Sequence, residues 1–361
     1  EQKNAVKGAI RNGVYVITGG PGTGKTTIIK CILEILENMQ KRVSLVAPTG
    51  RASKRMSDST GREAKTIHRL LEVNVIKTSE SYFVHNETNP LKTDVVIVDE
   101  VSMVDCALMC NLVKALPLDC KLILVGDKDQ LPSVGAGNVL ADILASGVIP
   151  FCMLTKIFRQ SEKSLIITNA HLINEGKMPM IDNSSMDFFF ESKNDPELIK
   201  NTIVNLVTSR LPKFLNVKPQ EIQVLAPMKV GVCGIENLNR TLQEEINPKS
   251  PEKPQVEVGQ TIFRLGDKVM QITNNYDLVW KKQGKYAMEE GQGVFNGDIG
   301  YITLIDPNTG EMNVEFEDGR NCLYTRPDLL DLSLSYAITI HKSQGSEFDT
   351  VIIPAIAGPS I

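Results

Sequence analysis

The chain has 361 residues, 42% of them hydrophobic and 23% charged, and it carries a net charge of −4 at pH 7. That length suits two or three domains with their own cores, and the composition is that of an ordinary globular protein. The acidic balance excludes a basic protein that coats DNA, but it still permits a local basic groove.

Three features of the chain bear on its location. Segments of 18 or more consecutive apolar residues do not occur, so the sequence predicts no membrane-spanning helix. The first residues, EQKNAVKGAIRNG, lack the apolar centre of a secretory signal. The seven cysteines contain no Cys-x-x-Cys pair. Together these observations predict reduced thiols in a cytoplasmic protein.

A glycine-rich loop follows the first predicted strand. The apolar run VYVI at 14–17 leads into TGGPGTGKTT, and from Thr26 onward apolar residues recur at helical spacing. This strand–loop–helix context predicts a Walker A phosphate loop. We expect Lys25 to reach the β and γ phosphates of a nucleotide and the Thr26 hydroxyl to bind Mg²⁺. The predicted nucleotide-binding residues of the loop are Gly20, Pro21, Gly22, Thr23, Gly24, Lys25, Thr26 and Thr27.

Two further buried strands are predicted to end in acidic residues. VVIV at 95–98 is followed by Asp99 and Glu100, and KLILVGD occupies 121–127. A carboxylate at the end of a strand, level with the phosphate loop, is suited to Mg²⁺, which predicts Asp99 as a metal ligand. Glu100 is then expected to deprotonate the attacking water. Three such strands alternating with helices predict a doubly wound, parallel α/β sheet.

Short alternating runs indicate two insertions made of β-strands. Residues 73–92 predict a β-hairpin, which either serves a function or is a plain surface feature. Residues 261–330 combine short strands with turn signals, which predicts a small antiparallel barrel. Within it, KKQGKYAMEEGQG at 281–293 is predicted to be a mobile loop. Trp280 at its edge is expected either to stack on a base or to pack against the barrel.

A polar cluster lies near the end of the chain, in LSYAITIHKSQGSEFD. Thr339, His341 and Lys342 follow a predicted strand. Gln344 and Gly345 are predicted to open a helix that contains Glu347. A helix cap would explain Ser343 and Glu347 but would leave the histidine and the lysine unexplained.

The motifs resemble those of a known family when they are taken in order. They are GGPGTGKTT, APTGRAS, TIHRLL, IVDEVSMVD, GDKDQLPSVGAG, LTKIFRQ, VLAPMKVGVCGIENLN and YAITIHKSQGSEFD. The series resembles the superfamily 1 DNA helicases, most closely their RecD-like (RecD/TraA) branch. The resemblance implies two RecA-like P-loop domains, a hairpin inserted in the first and an SH3-like barrel inserted in the second. The implied limits are 1–148 for the first domain, 149–260 with 331–361 for the second, and 261–330 for the barrel.

The resemblance also assigns nucleotide contacts outside the phosphate loop. Gln2 would read the adenine, Gln130 would sense the γ-phosphate, and Arg159 would act as an arginine finger. Gly345 and Glu347 would approach the nucleotide from the last motif. Judged by residue type alone, Gln2 and Arg159 would be ordinary surface residues.

A second set of residues is implied to contact DNA. Hydroxyls, backbone amides and a few cations in short loops suit a groove that follows a phosphate backbone. The implied contacts are Pro48, Thr49, Arg51, Thr66, His68, Lys229, Asn237, Thr339, His341 and Lys342. Lys54 and Arg55 are left open between this groove and a solvated helix face.

The resemblance implies an ATP-dependent DNA helicase motor core that moves 5′-to-3′ on single-stranded DNA, with ATP and Mg²⁺ as cofactors and hydrolysis between its two RecA-like domains. A nuclease, relaxase or other recombination or repair domain is an expected partner in the full-length protein. One alternative is an ATP-gated, single-strand-binding protein with little turnover. Another is a P-loop enzyme that acts on a small metabolite.

The segment after HKSQGSEFD departs from the family pattern. Superfamily 1 helicases continue to a last motif with a second catalytic arginine, and no such run follows here. The sequence is therefore expected to be a fragment of a longer protein, truncated at both ends. With Arg159 as its sole finger, we expect binding of nucleotide and DNA to persist while hydrolysis falls sharply.

Overall fold

The computed structural model describes residues 1–75, 81–156, 164–284 and 287–356. The chain divides into two compact units, Glu1–Glu191 and Ser192–Ile361. The first unit extends past residue 148 because the strand at 151–154 hydrogen bonds to the strand at 14–19. The domain limits given above remain predictions.

Each unit has its own helices, numbered here along the chain. Those of the first unit are α1 (Gln2–Arg11), α2 (Lys25–Asn38), α3 (Gly50–Thr60), α4 (Ile67–Leu71), α5 (Cys106–Ala115), α6 (Val139–Ser146) and α7 (Leu165–Asn174). Those of the second unit are α8 (Pro196–Asn205), α9 (Leu211–Leu215), α10 (Ile235–Ile246) and α11 (Ile340–Ser343). A π-helical turn, Leu206–Arg210, joins α8 to α9, and 3₁₀ turns occupy Val101–Met103, Pro219–Glu221 and Asp328–Asp331.

The first unit is built on a six-stranded parallel sheet with the order β3-β2-β6-β7-β1-β8. The strands of this unit are β1 (Val14–Gly19), β2 (Val43–Ala47), β3 (Ala64–Thr66), β4 (Val73–Val75), β5 (Ser81–Phe83), β6 (Val95–Val98), β7 (Lys121–Gly126) and β8 (Phe151–Leu154). All pairs within the sheet are parallel. The doubly wound parallel sheet predicted from the apolar runs is confirmed.

Helices cover both faces of this sheet, which explains why its strands are continuous apolar runs. Ile17, Ile97 and Ile123 pack with α1 and α2 in one core. Side chains alternate along a strand, so neighbouring residues such as Val16 and Val96 point to the other face, where they pack with α4, α5 and α6. Because all strand pairs are parallel, the carboxyl ends of the strands lie at one edge of the sheet. Ligands of such folds bind beyond this edge.

The predicted β-hairpin is also confirmed. Strands β4 and β5 pair antiparallel, and a turn closed by Asn86 and Asn89 follows them. Residues 76–80, between the two strands, lie outside the described part of the chain.

The second unit combines a three-stranded parallel sheet, β19-β9-β20, with a seven-stranded antiparallel sheet, β14-β13-β17-β16-β15-β12-β18, and the separate hairpin β10-β11. The strands of this unit are β9 (Ile222–Ala226), β10 (Gln255–Val258), β11 (Thr261–Arg264), β12 (Lys268–Gln271), β13 (Asn275–Gln283), β14 (Met288–Val294), β15 (Ile299–Ile305), β16 (Met312–Phe316), β17 (Asn321–Tyr324), β18 (Leu332–Leu334), β19 (Ala337–Thr339) and β20 (Thr350–Ile352). The seven antiparallel strands form the predicted SH3-like module.

The prediction of a mobile loop at 281–293 is wrong for the residues that the structure describes, whereas 285 and 286 lie outside them. Residues 281–283 end β13 and pair with 288–290 of β14. A Cβ on Gly291 would lie 2.4 Å from the Trp280 ring, so the indole packs over a residue without a side chain. Trp280 also packs against the core of the second unit, which supports the packing interpretation of this residue.

No helix in the described ranges is long and apolar enough to cross a membrane.

Candidate nucleotide and nucleic-acid sites

The phosphate loop connects β1 to α2, and its conformation depends on glycine. Gly22 and Gly24 have φ angles of 73° and 83°, in the left-handed region that side chains disfavour. The buried Thr23 hydroxyl donates to the Gly20 carbonyl at 2.8 Å and braces the loop. The predicted strand, loop and helix are thus present at the expected residues.

The Lys25 side chain folds back over this loop. Its ammonium donates to the carbonyl oxygens of Gly19 at 2.5 Å and Gly20 at 3.0 Å. Gln2, on α1, lies beside the same loop and donates to the Thr23 carbonyl at 3.4 Å. Thr26 and Thr27 are exposed in the first turn of α2. These predicted nucleotide contacts therefore share one loop and the helices next to it.

Asp99 and Glu100 lie where β6 ends. The Glu100 amide donates to the Asp99 carboxylate at 2.9 Å, and both residues are buried. Burial and the neighbouring Glu100 charge raise the pKa of Asp99 to about 6. A carboxylate in this state is costly to ionise alone and is favoured in its ionised form by a bound cation.

Glu100 is held in an unusual backbone position. Its φ is 54°, left-handed for a non-glycine residue, and such strain concentrates at functional sites. One carboxylate oxygen, Oε1, accepts from the Arg55 guanidinium. The other, Oε2, is buried and has no hydrogen-bond partner among the described residues.

The loop after β7 completes this edge of the sheet. Burial raises the pKa of Asp127. The charge of Lys25 acts to lower this pKa, and the charge of Glu100 acts to raise it. The side-chain amide oxygen Oε1 of Gln130 accepts from the hydroxyl of Ser102 at 3.3 Å, and Ser102 lies two residues after Glu100. The ends of β1, β6 and β7 therefore place the ammonium, the acids and the glutamine in one neighbourhood.

The donors present fit Mg²⁺ brought by a nucleotide. In the described ranges, no group of three or more His, Cys, Asp or Glu side chains could hold a metal by itself. Mg²⁺ in phosphoryl-transfer sites is bound through one or two protein oxygens, with phosphates and waters as its other ligands. The Thr26 hydroxyl and the Asp99 carboxylate supply such oxygens.

Three predicted DNA-contact threonines share one local geometry. Thr49, Thr66 and Thr339 each lie between a strand and a helix, and each hydroxyl accepts a backbone N–H three residues on, at 3.1 to 3.4 Å. An N-cap hydroxyl that accepts from the backbone keeps its own O–H to donate. Each capping hydroxyl therefore keeps an O–H that could donate to a phosphate oxygen; Thr49 and Thr339 are half-buried, whereas Thr66 is buried.

His68 follows the second of these caps. Burial lowers its pKa, which favours the neutral imidazole at pH 7. Its ring lies 5.9 Å from that of Phe83, at the end of the hairpin. A contact of His68 with DNA would therefore be a hydrogen bond rather than a charge interaction.

The second unit carries four more of the predicted contacts, Lys229, Asn237, His341 and Lys342. Burial and the charge of nearby Lys229 lower the pKa of Lys342, so two cations lie close together, as a phosphate-binding surface requires. Lys342 donates to the Asn296 side chain at 2.9 Å. Asn237 donates to the Val232 carbonyl and accepts from Arg240. His341 is exposed.

The prediction that Gln344 and Gly345 open a helix is wrong. Helix α11 spans Ile340–Ser343 and ends at Gln344. The Thr339 hydroxyl begins the helix one turn earlier, and the left-handed Gly345, with φ 71°, stops it. Glu347 lies beyond the helix and is exposed.

Two contacts were not foreseen from the sequence, and one predicted residue falls outside the described part of the chain. Arg55 was left open between a DNA groove and a solvated face, yet it is ion-paired with Glu100. Arg55 is three residues from the buried Ala52, so it lies beside the packed face of α3, and only the structure shows that Ala52 is buried. His171 lies against Gly20, and no sequence signal indicated it. Arg159 lies outside the described residues.

Family models match three parts of the chain. An AAA domain matches residues 2–136. The ATP-dependent RecD-like DNA helicase SH3 domain matches 238–316, and the UvrD-like helicase C-terminal domain matches 334–360.

Curated relatives align over almost the whole chain. The ATP-dependent RecD2 DNA helicase of Deinococcus radiodurans is 34% identical over 352 residues, 98% of this chain and 44% of that protein. The RecBCD enzyme subunit RecD of Mycobacterium tuberculosis is 30% identical and covers 98% of this chain and 64% of its own length. The chain thus spans about half to two thirds of these relatives.

Solved structures of Pif1 helicases have the same fold. A structure of two Pif1 helicases at forked double-stranded DNA has a TM-score of 0.54 and 20% identity, covering 98% of this chain and 84% of that one. Pif1 from Candida albicans has a TM-score of 0.52 and 17% identity, covering 98% and 87%.

Proposed function

Because this chain belongs to the RecD-like branch of the superfamily 1 helicases, we propose that it is the motor core of an ATP-dependent DNA helicase that translocates on single-stranded DNA. One observation carries the proposal: the phosphate loop, the Asp99–Glu100 pair and Gln130 meet at one edge of a parallel sheet. A 5′-to-3′ direction of movement rests on resemblance to the family.

Nucleotide hydrolysis is assigned to residues at this edge. Bound Mg²⁺ would neutralise charge on the phosphates, with Thr26 and Asp99 as its protein ligands. Lys25 would exchange its two loop carbonyls for phosphate oxygens, and Glu100 would take the proton of the attacking water. Gln130 would sense the γ-phosphate. The remaining nucleotide contacts are Gln2, Arg159, Gly345 and Glu347.

The nucleic-acid path is assigned to the ends of strands. Thr49, Thr66 and Thr339 would each donate an O–H to a backbone phosphate, because the helix cap uses the hydroxyl only as an acceptor. Cations nearby would supply the charge that dominates such binding. The further contacts proposed are Pro48, Arg51, His68, Lys229, Asn237, His341 and Lys342.

A location and partners are also proposed. All seven cysteines are free thiols, which supports a cytoplasmic location. A nuclease, relaxase or other repair domain is proposed as a partner of the full-length protein, since the name of the RecD relatives places them in an enzyme of several subunits.

Steady-state ATP hydrolysis with and without poly-dT tests the function. With Arg159 as its sole predicted finger, the chain is expected to hydrolyse ATP slowly but still to be stimulated by poly-dT. Lys25→Ala should abolish nucleotide binding, and Glu100→Gln should bind Mg²⁺-ATP and keep only a small residual turnover. Hydrolysis that poly-dT leaves unchanged would favour a P-loop enzyme with a small-molecule substrate. Displacement of streptavidin from strands biotinylated at either end tests the direction.

A further inference from the structure

The ion pair between Arg55 and Glu100 joins two sites that the proposed function keeps apart. Arg55 lies on α3, and Glu100 follows β6, 45 residues later in the chain. The side chain of Arg55 is 34% exposed and that of Glu100 only 7%. The guanidinium therefore reaches inward from the helix surface to a nearly buried carboxylate.

Helix α3 starts at the predicted DNA-contact loop. Thr49 caps it by accepting from the Ala52 amide at 3.2 Å, and the Ser53 hydroxyl donates to the Gly50 carbonyl at 2.9 Å. Ala52, Ser53 and Met56 are buried and hold the helix on the sheet. Since a helix rises about 1.5 Å per residue, Arg55 lies less than two turns from the capping threonine.

The ion pair leaves the two carboxylate oxygens of Glu100 in different environments. Oε1 accepts from Arg55, whereas Oε2 is buried and has no partner among the described residues. A buried carboxylate oxygen without a donor is costly, and a water molecule is the donor that hydrolysis requires. Because Arg55 fixes one oxygen, it also sets the direction in which the other can accept.

We propose that Arg55 is a positioning residue that orients Glu100 toward the attacking water and couples the Thr49–Arg51 loop to ATP hydrolysis. The inference rests on the proposed function. A polynucleotide backbone bound at this loop fixes the first turn of α3, and the rigid helix transmits that position to the guanidinium. Nucleotide binding does not depend on Arg55.

Substitution of Arg55 tests the coupling through turnover rather than binding. Arg55→Gln is expected to lower the poly-dT-stimulated kcat at least tenfold, while the affinities for a non-hydrolysable ATP analogue and for poly-dT stay within about twofold. Arg55→Lys keeps the charge but loses the planar fork, so it should recover part of the stimulation. Arg62→Gln is the matched control, because Arg62 forms an exposed ion pair with Glu37 just beyond the other end of α3; its kcat should equal that of the wild type.

A double-mutant cycle tests whether Arg55 acts through Glu100. Arg55→Gln combined with Glu100→Gln should be no slower than Glu100→Gln alone. Arg55→Gln alone leaves the Glu100 charge unpaired and could unfold for that reason. The double variant removes that charge as well, so it can still be compared with Glu100→Gln. Additive losses, weakened poly-dT binding in Arg55→Gln, or full stimulation in that variant would each overturn the inference. A wild-type protein that poly-dT does not stimulate would instead refute the proposed function.

Discussion

The imidazole of His171, on α7, lies directly against Gly20 in the phosphate loop. A Cβ added to Gly20 would lie 2.8 Å from Cε1 of the ring and 3.5 Å from Nε2. Gly20 does not have a positive φ, unlike Gly22 and Gly24, so it is the histidine rather than the backbone that requires glycine here. Nε2 of His171 is buried and has no hydrogen-bond partner among the described residues.

Gly20→Ala is expected to weaken binding of a fluorescent ATP analogue about tenfold. The added methyl would meet the ring at a distance that real side chains do not tolerate, and relief of such overpacking costs about 1–3 kcal/mol. His171→Ala in the same chain should restore most of the affinity, because it removes the clash. Gly13→Ala is the control, since nothing lies within 4 Å of its added Cβ. Failure of His171→Ala to rescue would contradict this explanation.

Asp99→Asn is expected to stabilise the protein at neutral pH. The pKa of Asp99 is about 6 in the folded protein, above its ordinary value of 3.8, so the folded state holds the proton more tightly. Ionisation of Asp99 therefore destabilises the folded protein. This destabilisation is absent below about pH 3.8, grows as the pH rises to 6 and is complete above pH 6. Chemical denaturation should show the variant more stable by on the order of 2 to 3 kcal/mol at pH 7, and equal to the wild type near pH 4.

For a second aspartate, Asp94, substitution by Asn is expected to change stability in the opposite direction. The pKa of Asp94 is lowered, chiefly by hydrogen bonds from the side chain and backbone of Arg42. Its contribution is present above the ordinary pKa and is lost as pH falls. Asp94→Asn should therefore lower stability at pH 7, with a difference that shrinks in acid. If both variants were less stable than the wild type at pH 7, the raised pKa of Asp99 would be contradicted.

Thr66→Ala is expected to lose both helix stability and DNA affinity. The substitution removes the cap that accepts from the Arg69 amide at 3.1 Å, which costs about 1 kcal/mol, and it also removes the proposed phosphate donor. Thr66→Ser should retain both. Asp195→Ala removes the cap of α8 and should lower stability without changing poly-dT affinity. Unchanged DNA affinity in Thr66→Ala would exclude Thr66 from the DNA path.

Lys342→Gln is expected to weaken poly-dT binding regardless of base sequence. Loss of one phosphate contact should reduce the slope of log affinity against log salt by about 0.7, the value for one charge on a single strand. Lys249→Gln, an exposed lysine outside the proposed path, should leave the slope unchanged. A slope in Lys342→Gln identical to that of the wild type would show that Lys342 does not contact a phosphate.

Much of the structure of the first unit could be predicted from local sequence patterns. The strands at 14–17 and 95–98 were predicted because unbroken apolar runs, rich in β-branched residues, suit a sheet covered on both faces. The phosphate loop was predicted because its glycines, Lys25 and Thr26 are contiguous in the chain. The antiparallel module was predicted from its turns. Where local signals were weak, as at 281–293 and at Gly345, the prediction was wrong.

The sequence by itself determined the elements and the residues inside each motif, because neighbours in the chain set local conformation. Only the tertiary structure brought Arg55 to Glu100 and His171 to Gly20. Those pairs are separated by 45 and 151 residues, and the distance between such residues depends on how helices pack over a sheet and which strands pair. Packing of this kind is a property of the whole folded unit, so no local pattern of residues encodes it.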